Sequence, residues 1–217
     1  MSKSTISEQV YEHLMQMVLS MEVKPSEKIP EEKIAKQFGC SRAPIREALK
    51  RLSHEGIVDI HPNKVAEIAN YSDELIEQIG VVRVFNDIMA IKLAMLFGSK
   101  IDFLKMNDLA DECYKAAREK NTSLRIRKDC EFHIELAKIG KNQQLVKFTD
   151  ELYKRIEFIQ SFKYDDLIQP ENQRKEHQEI VTLLINREER KLIELMVKHD
   201  SSFHAISTKY PFEFFIG

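Results

Sequence analysis

Apolar residues recur every three or four positions along most of the chain, and one stretch breaks that rhythm. Ile6, Val10, Leu14, Met17 and Met21 share one side of a helix. Thr5 stands three residues before Glu8, the spacing of a capping box, and Val23-Lys24-Pro25-Ser26 closes the segment. A shorter helix is predicted from about Glu31 to Phe38, stopped by Gly39. Ser41 caps a third helix, with Pro44 tolerated in its first turn. Over residues 56–69 the period drops to two. Ile57-Val58-Asp59-Ile60 and Val65-Ala66-Glu67-Ile68 read as short strands around a His61-Pro62-Asn63-Lys64 turn.

Helix, helix, tight turn, helix and hairpin is the order of a winged helix-turn-helix. From Ser72 onward the pattern stays helical. Ser72 can cap a helix whose stripe runs Leu75, Ile79, Val82, Phe85, Met89, Leu93 and Leu96. Gly98, Asn121-Thr122, Gly140-Lys141-Asn142 and Pro170 punctuate the rest into about six helices. The expected architecture is mainly α. A winged helix-turn-helix of three helices plus a β-hairpin spans 1–70, and an all-helical ligand-binding bundle spans 71–217, with a short polar joint at Asn70-Tyr71-Ser72.

Composition narrows the function classes. The chain has 217 residues, 43% hydrophobic and 31% charged, the profile of an ordinary soluble globular protein. The longest apolar stretch, Ile88 to Phe97, is interrupted by Lys92 and is about half a membrane span. Met1-Ser2-Lys3-Ser4 lacks an apolar signal core, so no membrane partner is expected. Cys40, Cys113 and Cys130 are an odd number with no CxxC pair, which fits a reducing cytoplasm. Phosphate-loop, dinucleotide, HExxH and GxSxG motifs are absent, so nothing points to an enzyme built on them. Net charge is −2, and any surface for nucleic acid must therefore be a local patch.

The third helix carries such a patch. Ile45, Ala48, Leu49 and Leu52 form its packing face, while Arg42, Arg46 and Lys50 fall at i, i+4 and i+8 on another. A helix of this kind after a tight turn can enter a major groove, where Arg pairs bidentately with guanine and Lys neutralises phosphate. Periodicity alone does not separate this from a solvated helix face. The run Ser41-Arg42-Ala43-Pro44-Ile45-Arg46-Glu47-Ala48-Leu49, then Leu52 and Glu55-Gly56-Ile57-Val58, resembles the signature of GntR-family transcription regulators across residues 5–69. The resemblance implies that Arg42 and Arg46 contact an operator, with Ser41 at a phosphate-side position. The implied DNA-binding set is Ser41, Arg42, Ala43, Arg46 and Lys50, joined by Asn63 and Lys64 of the wing. Two departures stand out: Ser26 where the family has Gly after Pro, and Val65 where it has Gly at the wing tip.

In the second part, three predicted helices turn metal-type side chains toward their own apolar seams. Their stripes read Ile126, Asp129, His133, Leu136; then His177, Ile180, Val181, Leu184; then Leu192, Leu195, His199, Phe203. A buried carboxylate or imidazole costs several kcal/mol unless paired or bound to metal, to order of magnitude about 2–7. Asp129 and His133 at i, i+4 can serve one ion. Oxygen and imidazole without thiolate suit Zn²⁺, Ni²⁺, Mn²⁺ or Fe²⁺. By spacing alone, a metal site and a hydrogen-bonded core stay equally open.

Residues 72–208 are similar to the FCD effector domain of the FadR/VanR-like branch of GntR regulators. The resemblance lies in Asp129, His133, the helix-starting Asn142, His177 and His199, and in Val82-Arg83 with Asp87 four residues later. It implies that Asp129, His133, His177 and His199 hold a divalent metal at which a small organic acid binds, and that Arg83 clamps the acid's carboxylate. The bland role for Arg83 is a salt bridge to Asp87. The expected function is therefore a homodimeric regulator, in repressor mode, of a palindromic double-stranded DNA operator. The rivals are a metal-independent relative with an acyl-CoA-like effector and, from another class, a metal-dependent hydrolase or lyase.

Overall fold

The computed structural model describes residues 4–61, 66–163, 169–204, 206 and 209–216, the side chains of 202–204 excepted. The chain divides into two compact units. The first contains α1 (Ile6–Leu19), α2 (Glu31–Phe38), α3 (Arg42–His54), β1 (Val58–Asp59) and β2 (Glu67–Ile68). The strands pair antiparallel, with Val58 opposite Ile68. The predicted turn with Asn63 and Lys64, and Val65 after it, lies outside the described residues.

Local chemistry sets the ends of these elements. The Glu8 N–H donates to Thr5 Oγ1 at 3.1 Å and the Thr5 N–H to the Glu8 carboxylate at 2.7 Å, the reciprocal pair of a capping box. α1 ends before its apolar rhythm does. Ser20 is the C-cap, and Met21 turns left-handed at φ 57°, so the terminating segment starts earlier than Val23. Ser26 also sits left-handed at φ 67°, a backbone that a glycine in its place would adopt without steric cost. Val10, Leu14 and Val18 bury against Ile34, Ile45, Leu49, Leu52 and Ile57.

This core takes residues from far along the chain, Phe158 and, packed against it, Phe162. α7 (Gln143–Lys163) belongs to the second unit at its start, but from Glu157 on it belongs to the first. Phe158 is buried there, with its ring edge-on to Tyr71 at 5.4 Å. A single cut near residue 70 misses that segment.

The second unit contains α4 (Asp73–Phe97), α5 (Lys100–Arg118), α6 (Thr122–Ile139), the first turns of α7, α8 (Pro170–Asn186), α9 (Glu189–His204) and the short α10 (Phe212–Ile216). α4 packs on α6 and α9, α5 on α6 and α8, and α8 on α9. A Cβ on Gly140 would come within 2.8 Å of the Leu93 Cβ, so this glycine lets the end of α6 meet α4 closely. The left-handed residue of that turn is Lys141 at φ 54°. Asn142 then caps α7 by accepting from the Gln144 and Leu145 N–H groups, both at 3.1 Å. Among the described residues no helix is long and apolar enough to cross a membrane.

α4 is apolar nearly all round, which is where the hydrophobic pattern points the wrong way. Leu75, Val82, Phe85, Met89 and Leu96 of its predicted stripe are 39 to 71% exposed, while only Ile79 of that stripe is buried. The buried face instead carries Ile76, Arg83, Val84, Asp87, Ile88 and Ile91. Its polar members are satisfied inside, so they do not mark the solvent side. α10 covers part of the outward face: Phe214 and Phe215 sit 5.5 and 5.4 Å from Phe85, and Phe215 is buried.

Candidate functional site

In the first unit α3 turns Ile45, Ala48, Leu49 and Leu52 inward and leaves Ser41, Arg42, Ala43, Arg46 and Lys50 exposed. Ser41 occupies the N-cap position, but its side chain makes no capping hydrogen bond, contrary to the role expected of it. The hydroxyl is thus left for other partners. Arg42, Arg46 and Lys50 line one open groove with the start of α2 and with Ile60 and His61 after β1. One member of this groove was invisible in the sequence. Glu32 of α2 accepts from Arg42 Nη2 at 3.1 Å, across two helices and a turn.

In the second unit Asp129 and His133 of α6, His177 of α8 and His199 of α9 come together. One donor atom from each lies within 4.8 Å of all the others. Ligands about 2.0–2.2 Å from one ion stand at most about 4.4 Å apart, so the spread matches a coordination shell to a few tenths of an ångström. Phe203, expected on the same seam of α9, has its side chain outside the described residues.

Each donor is oriented by a neighbour. His133 Nδ1 lies 2.8 Å from Asp87 Oδ2, and His199 Nδ1 lies 2.9 Å from Glu176 Oε2, which leaves Nε2 of both rings for the cluster. Gln173 Nε2 donates to Asp129 Oδ1 at 2.7 Å, and Gln173 Oε1 accepts from Arg125 Nη2 at 2.7 Å. Carboxylate or amide partners behind the ligands are the usual second layer of a metal site. His177 stacks on Phe132 at 4.2 Å. It is fully buried and, among the described residues, neither ring nitrogen makes an aligned hydrogen bond, although Nε2 stands 3.2 Å from Asp129 Oδ1. A buried imidazole left in that state has reason to bind something.

The electrostatics favour the metal-binding forms. Burial, helped by Arg83, pushes His133 down to about 4, and burial lowers His177 as well. Both rings therefore stay neutral, as ligation requires. Burial works to raise Asp129, but the His177 contact and the charges around it carry it well below the usual carboxylate range. His199 is the exception: burial would lower it, but the Glu176 contact together with the Asp200 and Asp129 charges raises it overall.

Arg83 adjoins this cluster and is 1% exposed. Its Nε lies 2.9 Å from Asp200 Oδ1 and 3.2 Å from the Tyr153 hydroxyl, and its Nη2 lies 3.1 Å from His133 Nε2. Asp200 is thus a close carboxylate neighbour of Arg83, while Asp87 takes the His133 ring and the Tyr153 hydroxyl. Asp200, Tyr153, Gln173 and Glu176 escape the sequence reading because they reach the cluster from helices whose registers are fixed only by packing. The donor set fits a divalent ion, with one adjustment: Arg83 rests on the His133 nitrogen that an ion would use.

Residues 6–68 match the family described as "Bacterial regulatory proteins, gntR family", and residues 81–202 match the FCD domain. The chain is 26% identical over 174 residues to the uncharacterized HTH-type transcriptional regulator YdhC of Bacillus subtilis, covering 79% of this chain and 77% of that one. It is 26% identical over 183 residues to the Nta operon transcriptional regulator of Aminobacter aminovorans, covering 84% and 85%. A crystal structure of a GntR regulator from Rhodococcus superposes with a TM-score of 0.77 at 18% identity, over 93% of this chain and 97% of that one.

Proposed function

Because the chain belongs to the GntR family of bacterial regulatory proteins and carries an FCD domain, we propose that it is a metabolite-responsive repressor of the FadR/VanR-like branch. Its relatives and domains are transcription regulators and not enzymes. The observation that carries the proposal is the pairing of an outward cationic face on α3 with a buried four-donor cluster in the helical unit. Ser41, Arg42, Ala43, Arg46 and Lys50 contact the operator, with Asn63 and Lys64 from the wing. A single recognition helix buries too little for specificity, so two copies read a palindrome. The exposed apolar stripe of α4, Val82, Phe85 and Met89 among it, supports a homodimer.

In the helical unit Asp129, His133, His177 and His199 hold a divalent cation, which supplies a Lewis-acidic position for an oxygen of a small carboxylic acid. Arg83 supplies the second anchor, since a guanidinium can clamp a carboxylate with two parallel N–H bonds. Asp87 and Glu176 hold the His133 and His199 rings with Nε2 forward. The acid acts by preferring one arrangement of the helices, and only that difference in affinity can shift the population away from DNA.

The test is selection of genomic fragments by the purified protein at stated salt, with Arg46→Ala alongside. Enrichment of a short inverted repeat by the wild type and not by the variant, at equal helical content, is the expected result. Retained enrichment by Arg46→Ala would overturn the assigned face.

A further inference from the structure

Glu32 lies in the first turn of α2 and lines the same groove as Arg42, Arg46 and Lys50. Its carboxylate takes the Arg42 guanidinium at 3.1 Å, and both side chains are mostly exposed, 79 and 68%. An exposed pair of this kind contributes little to folding. An acid in the first turn complements the helix dipole, and Glu31 already does so. The fold therefore gives Glu32 no task that it alone fills.

The groove gives it one. Its charged lining is five cations and two acids, and both acids stand at the start of α2. DNA presents a phosphate about every 1.7 Å of its axis, so a carboxylate here faces repulsion wherever the groove is filled. It also occupies a guanidinium that would otherwise neutralise a phosphate. Among the described residues only one guanidinium nitrogen is engaged, Nη2. The others remain free to reach a guanine edge, where Arg pairs with O6 and N7. A paired Arg42 is thus penalised on backbone and not on the right base.

We infer that Glu32 is a specificity-determining residue of the DNA-reading surface: by holding Arg42, it withholds one phosphate contact from DNA of arbitrary sequence and reserves that side chain for a base edge. The inference rests on the reading of α3 as the DNA-contacting helix.

The experiment uses the full chain with Glu32→Gln, Arg42→Gln and the double variant. Binding is followed by anisotropy on a scrambled duplex of about 30 base pairs and on an enriched genomic fragment, from about 50 to 200 mM salt. Glu32→Gln should bind the scrambled duplex roughly three- to tenfold tighter, with a log–log salt slope steeper by about 0.9, the value of one added phosphate contact. Its preference for the enriched fragment should fall. In the Arg42→Gln background only the carboxylate's own repulsion is left, so the same substitution should gain less than it does in the wild type. An unchanged slope in Glu32→Gln overturns the inference. So does an equal gain in the Arg42→Gln background, which would mean generic repulsion. Failure of the α3 reading shows separately, as wild-type binding by Arg46→Ala.

Discussion

Arg42 keeps 68% of its side chain in water and touches an acid, Glu32, that is more exposed still, whereas Arg83 is 1% exposed and lies against Asp200, Tyr153 and His133. In the proposed function the same guanidinium serves two kinds of recognition. On α3 it would meet a large partner that brings its own charges, and its neighbours in the fold are few and loose. In the helical unit it belongs to a buried cluster in which the proposed ion and acid would find every group already aimed. The first surface can lose a member at little cost to folding; the second loses stability with any of its members.

The largest expected effect breaks that contrast if it is wrong. Arg83→Met leaves Asp200 buried without its cation and should cost about 3–5 kcal/mol in urea unfolding, the usual result of removing one side of a buried pair. Arg42→Met should change stability by no more than about 0.5 kcal/mol. Similar losses in the two variants would erase the distinction.

Next in size is the ligand effect. Zn²⁺ or Ni²⁺ at about 100 times its dissociation constant should stabilise the wild type by about 2.7 kcal/mol, and a chelator should reverse this. His177→Ala should lose the shift and bind substoichiometric metal in elemental analysis. Full occupancy in that variant would mean a different ligand set.

The smallest effects concern the backbone. Ser26 and Lys141, one in each unit, are held left-handed at φ 67° and 54°. Ser26→Gly and Lys141→Gly should each raise the unfolding free energy by up to about 1 kcal/mol, since the steric cost of that conformation outweighs the entropy glycine adds. Destabilisation by either would show that its side chain makes a contact worth more than the strain.

Much of this was legible in the residues. The α3 faces follow from spacing, because a helix on a surface must separate apolar from charged positions. The stripes of α6 and α8 foretold that Asp129, His133 and His177 point inward, and the structure buries all three. What spacing cannot give is the neighbour on another helix. Glu32 meets Arg42, and Glu176 meets His199, only because of helix packing. α4 was misleading for a different reason: a helix apolar on every side has no preferred inward direction until its polar residues find partners. Phe158 likewise looks like any apolar position of α7, and nothing local says that it joins the core of the first unit.

That same α4 carries two messages in one reading frame. Val82, Phe85 and Met89 face outward, and Arg83, Asn86 and Asp87, interleaved with them, face the cluster. Successive residues of a helix are about 100° apart, from 3.6 residues per turn. Inserting or deleting one residue upstream of Val82 would therefore rotate both sets out of place together. Evolution can vary either face by substitution, but it cannot change the length of this helix, and drift here should consist of exchanges without gaps.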